Sequence, residues 1–195
     1  MSFSYEVRRN IQLLLFVIQS LGGRTTPNMA FIVFYLADLR FLGMHGRLTF
    51  GNFYMAMKNG PIPFNILSLL MELNNQGEGS IAMKLKNSFF VDEDGGLRNK
   101  VKYDPDYLSN EEVESLFLTI QAYKKIDVET LRAKTIGLAW QQADTNSIIS
   151  VLKMAEEINV DSALIQSIAS LYDNEKTKTI VNEEKIKAAK IFTGE

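Results

Sequence analysis

The stretch from Pro27 to Leu42, PNMAFIVFYLADLRFL, leaves a chain of this kind few options. Met29, Ile32, Val33, Phe34, Leu36, Leu39 and Phe41 cover most of the circumference of a helix, and a helix apolar on nearly all sides belongs in the middle of a domain. Thr26 can accept a hydrogen bond from a first-turn amide, and Pro27 arrives with its φ set and no N–H to leave unpaired. Asp38 interrupts the apolar run. A carboxylate there loses hydration unless it is paired or hydrogen-bonded, and Arg40, Arg47, Tyr35, Tyr54 or backbone amides are the available partners. Two roles are open to it: a structural hydrogen bond tying the helix to the following loop, with Asp38, Arg47 and Tyr54 as a polar anchor, or a binding-site carboxylate.

Downstream, Gly43 and Gly46 flank Met44 and His45 in a tight loop. His45 is the only histidine, and a lone histidine in such a loop reads as a surface residue, not a general base. Leu48 to Lys58 reads as a strand, with Phe53, Met55 and Met57 on one face and Tyr54, Ala56 and Lys58 on the other. Asn59-Gly60-Pro61-Ile62-Pro63 is expected to end it in a rigid turn, since proline cannot donate to a ladder. Phe64, Leu67, Leu70 and Met71 then recur at helical spacing.

The remaining segments divide into helices and one hairpin. Ile11, Leu14, Leu15, Ile18 and Leu21 give an amphipathic helix over about 4–21, ended by Gly22-Gly23; with Gln12 and Gln19 inside it and no small-residue cleavage site after it, it is read as mature chain, not a signal peptide. After a polar connector over 74–80, Ile81, Met83, Leu85, Phe89 and Val91 alternate with Lys84, Lys86 and Ser88 as a strand, and a DEDGG turn returns it through Leu97, Val101 and Tyr103. One face of that hairpin would carry Lys84, Lys86, Arg98, Lys100 and Lys102. Those side chains either contact nucleic-acid phosphates, as the wing of a winged-helix protein does, or keep a solvent-facing strand from pairing edge to edge. Ser109 and Glu112 form a capping box ahead of a stripe of Val113, Leu116, Phe117 and Ile120. Asp127 caps the next helix, where Leu131, Thr135, Leu138 and Ala139 share a face. Two more stripes follow, Ile148 to Ile158 and Leu164 to Tyr172, before a Lys/Glu-rich tail whose apolar residues are too sparse to demand a core.

The motifs of the central stretch resemble the Panacea, or SocA-like antitoxin-associated, domain. The matching residues are Tyr35, Ala37 and Asp38 at the helix end, Gly46, Arg47 and Thr49 at the corner, Tyr54, Ala56 and Met57 in the strand, and Gly60, Pro61 and Pro63 in the turn. Ala139-Trp140 resembles the family's second half, so the likeness covers about 27–142. Phe41 and Ile136 stand where relatives often have histidines, and no metal is assigned. The implied organisation is an N-terminal helix packing on the core over 1–26, a Panacea-like core over 27–142, and a helical extension with a polar tail over 143–195. The expected fold class is α+β, mainly α: a single helical domain with a small antiparallel sheet or β-hairpin, winged-helix-like as a variant.

A net charge of -2 argues against a globally polyanion-binding chain, no window approaches the length of a membrane span, and the lack of cysteine removes disulfides, thiol nucleophiles and thiolate metal sites and agrees with a cytoplasmic location. Enzyme motifs are missing: there is no phosphate loop, nucleophile elbow, histidine pair or carboxylate pair at metal-ligand spacing, and Glu111-Glu112 and Glu156-Glu157 read as solvated helix faces. No catalytic residue and no cofactor are assigned. The resemblance implies an antitoxin-like interaction protein that neutralises a cognate toxin by direct binding, or delivers it to a cytoplasmic protease. The candidate contact region is the strand and turn from Tyr54 to Pro63, with Tyr54, Met57, Lys58, Pro61 and Pro63, together with the corner around Arg47, since a rigid turn holds its side chains at little ordering cost on binding. The alternatives are a DNA-binding autoregulator using the basic hairpin, and a non-enzymatic scaffold of phage or mobile-element origin.

Overall fold

The computed structural model describes residues 4–74, 80–172 and 183–193. Its elements in chain order are α1 (Tyr5–Ser20), β1 (Arg24–Thr25), α2 (Pro27–His45), β2 (Tyr54–Met57), β3 (Gly60–Pro63), α3 (Phe64–Asn74), α4 (Ser80–Ser88), β4 (Phe89–Val91), β5 (Leu97–Asn99), a 3-10 turn (Pro105–Tyr107), α5 (Asn110–Tyr123), α6 (Val128–Thr135), α7 (Leu138–Gln141), α8 (Val151–Glu157), α9 (Ser162–Tyr172) and α10 (Glu183–Thr193). The fold is α+β and mainly α. Two small antiparallel sheets accompany the helices, one ordered β1-β5-β4 and the other made of β2 and β3.

Helix α2 sits where three apolar clusters meet, which is why it has no polar face. Phe31, Val33, Phe34, Ala37 and Phe41 enter the main core with α1, α3 and α5. Tyr35 and Leu42 face a second cluster shared with α8 and α9. Ile32 and Leu36 meet Leu131 of α6 in a third. Thr26 caps the helix by accepting the Met29 amide at 3.2 Å, and Gly46 ends it in the left-handed conformation, φ 68°. The helix therefore runs on through Met44 and His45, which were expected in a loop.

Strand β2 is shorter than the expected Leu48–Lys58 and buried on both faces: Met55 and Met57 point into the main core, Tyr54 and Ala56 into the second cluster. Its preceding residues are held by Asp38 and cannot join a ladder. The proline segment is itself a strand, contrary to the expected turn. Phe64 N–H donates to the Phe53 carbonyl at 2.9 Å, so hydrogen-bonded pairs alternate outward from there and Pro61 and Pro63, opposite Ala56 and Tyr54, fall at non-bonded positions where no N–H is needed. The other edge of β2 is covered by residues 146–149: Asn146 and Ile149 amides donate to the Ala56 and Tyr54 carbonyls, and the Ala56 amide to Ser147, each at 2.8 Å.

Residues 81–88 form helix α4, where a strand was expected. Ala82, Leu85, Ser88 and Phe89 are buried at three- and four-residue spacing while Met83 is 59% exposed, so the helical period overrides the apparent alternation. The hairpin is confined to β4 and β5, and its turn is locked by Asp92, which accepts from Arg24, Arg98 and the Gly96 amide. Phe117 and Leu138, expected on buried faces, are 48% and 60% exposed; Leu131, Thr135 and Ala139 are buried as expected, and Ser115 and Thr119 take buried positions on α5. The end of the tail does join a core: Ala189 is buried and Ile186 and Phe192 pack against the main cluster, with Lys185 over the Phe64 ring at 3.5 Å. Residues 173–182, with Ile180 and Val181, lie outside the described residues.

Candidate functional site

The corner that joins α2 to β2 is organised by one carboxylate. Asp38 is fully buried about two turns before the helix ends, among apolar neighbours. Oδ1 accepts the amides of Thr49 at 2.7 Å and Phe50 at 3.0 Å. Oδ2 accepts the Gly51 amide at 2.7 Å and the Tyr54 hydroxyl at 2.6 Å. Burial pushes the Asp38 carboxyl up to about 6, and the Tyr54 hydroxyl and the three amides oppose that rise. Burial and the neighbouring carboxylate hold the Tyr54 hydroxyl well above the ordinary tyrosine range, so it remains a donor. Gly51 makes the approach possible: a Cβ there would lie 2.6 Å from the Tyr54 ring.

Around this centre lies a second polar layer supplied by distant parts of the chain. Glu112, the capping-box residue of α5, is buried and accepts from the Ser109 amide through Oε2 at 2.9 Å. Its Oε1 accepts from the Thr49 hydroxyl at 2.6 Å and from Arg9 Nη2 at 2.5 Å. The same Arg9 nitrogen donates to the Thr49 carbonyl and hydroxyl oxygens, both at 2.9 Å. Burial alone would raise Glu112; the bonds from Thr49, Ser109 and Arg9 outweigh it and hold the carboxyl below its ordinary value. Glu112 is thus a structural link between α1, the corner and α5, not a solvated helix face. Glu157 is not one either, since it accepts the Ala139 amide at 2.7 Å and caps α7, whose N-cap Gly137 has no side chain to do so.

The outer surface of the corner is a polar cleft of about 360 Å³ lined by Arg9, Arg47, Thr49, Asn52, Glu112 and Tyr172. Tyr172 reaches it from the end of α9 and accepts the Leu48 amide at 2.9 Å. Beside Tyr172 lies a groove of about 240 Å³, of mixed lining, between residues 148–152, Phe53 and Ala169.

The expected anchor is divided by this geometry. Asp38 and Tyr54 meet, whereas Arg47 lies over the Phe41 ring, its guanidinium carbon 5.1 Å from the centroid, and makes no bond to Asp38. Of the expected contact residues, Tyr54, Met57, Pro61 and Pro63 are buried and present no surface; Lys58, on the β2–β3 turn, and Arg47, at the corner, are exposed. The five basic positions do not share one hairpin face. Lys84 and Lys86 belong to α4, Arg98 is paired with Asp92, Lys100 donates to the Lys86 carbonyl and lies over Phe90, and Lys102 follows β5. Phe41 fills the main core, stacked 4.1 Å from His45, and Ile136 ends α6. Among the described residues no group of three or more acidic or histidine side chains is placed to hold a metal. No helix among them is long and apolar enough to cross a membrane.

Arg9, Asn52 and Tyr172 were not legible as members of this site. Their separations from Thr49 in sequence carry no periodicity, and only the capping-box motif drew attention to Glu112.

No curated protein and no solved structure matches the chain. A family model does, over residues 33–141, more than half of the sequence and the whole path from the middle of α2 through the Asp38 corner to α7. On that match the chain belongs to the antitoxin SocA-like, Panacea domain family.

Proposed function

We propose that this protein is a non-enzymatic antitoxin, which neutralises a cognate toxin in the cytoplasm by binding it directly. The observation that carries the reading is the family match over 33–141. The chemistry of the corner agrees with it: Asp38 accepts four fixed donors and Glu112 three, an arrangement that stabilises a shape. A rigid scaffold of that kind presents its surface side chains with little ordering cost on binding.

Binding can act by masking the toxin or by delivering it to a cytoplasmic protease. Co-expression with the protein encoded by the adjoining gene is expected to restore growth and to yield a complex that survives purification. Toxin abundance then separates the modes: it holds steady under masking and falls under delivery. Failure of both growth rescue and complex formation would overturn the reading.

A further inference from the structure

The cleft and the groove share the Tyr172 ring as a common wall but differ in chemistry. In the cleft the two guanidiniums are unequal. Arg9 is committed through Nη2 to Thr49 and Glu112. Arg47 is exposed and has no carboxylate within ion-pairing distance among the described residues; it rests on Phe41, a ring that the core holds fixed. Of the carboxylates on this side, Glu112 accepts three donors, Glu6 accepts the Asn52 side-chain amide at 2.9 Å, and Glu111 interacts with His45; none is ion-paired to Arg47. The cleft therefore holds an unneutralised cation on an aromatic platform. The groove next to it has a mixed lining, with the side chains of Phe53, Val151, Leu152 and Ala169 as its apolar part and Ser150 among the rest.

We propose that cleft and groove form one bipartite docking site for an extended segment of the toxin, in which an apolar side chain enters the groove and an adjacent carboxylate pairs with Arg47. The inference rests on the toxin-binding reading above and names the chemistry of the partner at that surface. Charge complementarity selects the carboxylate. A guanidinium accepts it through two parallel hydrogen bonds, and stacking on Phe41 reduces the freedom Arg47 loses on binding. The apolar part of the groove supplies burial, while the ion pair sets the register of the segment and the rate of encounter.

The test titrates the purified product of the adjoining toxin gene into the unchanged chain and into Arg47→Glu, Ala169→Arg and Lys125→Glu, at low and high salt, with thermal melts to show that each variant is folded. Arg47→Glu is expected to weaken binding roughly ten- to a hundredfold and to flatten its salt dependence. Ala169→Arg, which fills the groove from its wall, is expected to weaken binding to a similar degree. Lys125→Glu, on the exposed loop between α5 and α6 that lines neither depression, is expected to stay within about twofold of the unchanged chain. Replacing one carboxylate of the toxin by lysine should restore binding to Arg47→Glu. Unchanged affinity in both folded site variants would overturn the docking site and leave toxin binding standing. No binding by the unchanged chain would overturn the function and this site with it. Self-association that Arg47→Glu abolishes, with toxin affinity unaltered, would assign the face to a second copy and overturn the proposal.

Discussion

Asp38 holds four donors on two oxygens inside the core, so its removal strands three amides and a hydroxyl where water cannot replace the acceptor. Asp38→Ala is expected to cost about 3–5 kcal/mol in urea unfolding, the range for breaking a buried charged network. Tyr54→Phe removes one donor and leaves the other three, and about 1–2 kcal/mol is expected. Glu112 carries a pH dependence of definite sign. Its folded carboxyl titrates below the ordinary 4.5, so the unfolded chain binds the proton first as pH falls. The stability Glu112 contributes is fully present above about pH 4.5 and is lost as pH drops through the lowered folded value. The difference in urea midpoint between the unchanged chain and Glu112→Gln should therefore be constant near neutrality and shrink below pH 4.5; a difference that grew on acidification would contradict the assignment.

At the scale of elements, α7 shows how a short helix can depend on a distant side chain. Gly137 offers no cap, and the carboxylate of Glu157 takes that role from α8. A Cβ on Gly137 would sit 2.0 Å from Glu157 Oε1. Gly137→Ala is expected to displace the cap and to cost about 1–2 kcal/mol by thermal melting, and Glu157→Ala about as much; the double variant should cost less than the sum, because both changes remove one contact. Trp140, the single tryptophan, donates from Nε1 to the Met57 carbonyl at 3.0 Å and so reports on α7 and the β2–β3 hairpin together. Elements with one dominant signal were legible in the sequence: α1 and α2 from their apolar spacing and caps, α5 from its capping box, the β4–β5 turn from its Asp-Gly chemistry. Residues 81–88 were misread because Lys84, Lys86 and Ser88 satisfy a period of two on paper, while the buried set Ala82, Leu85 and Phe89 follows the helical one. The proline segment was misread because the rule that proline cannot donate says nothing about positions where a ladder asks for no donor.

At the scale of the molecule, α2 is the axis about which three clusters assemble, and its all-apolar sequence announced that role. What the sequence did not announce was which surface remains outside. Most residues of the family pattern are interior: Tyr54, Met57, Pro61 and Pro63 lie under the surface they were expected to form, while Arg47 is the exposed exception and joins Asn52 and the ends of α8 and α9 at the surface. Contacts such as Arg9 with Thr49, 40 residues apart, and Arg9 with Glu112, 103 apart, are set by tertiary packing and leave no local trace. The tail belongs to this assembly as well. A chain ended at residue 182 uncovers the main core where Ile186, Ala189 and Phe192 pack, and a loss of about 2–4 kcal/mol with increased binding of an apolar dye is expected. A calorimetric titration of the purified toxin from the adjoining gene into the folded chain is expected to show a saturable complex with a Kd of about 1 µM or tighter; the absence of heat and of any complex, with both proteins folded, would contradict toxin binding.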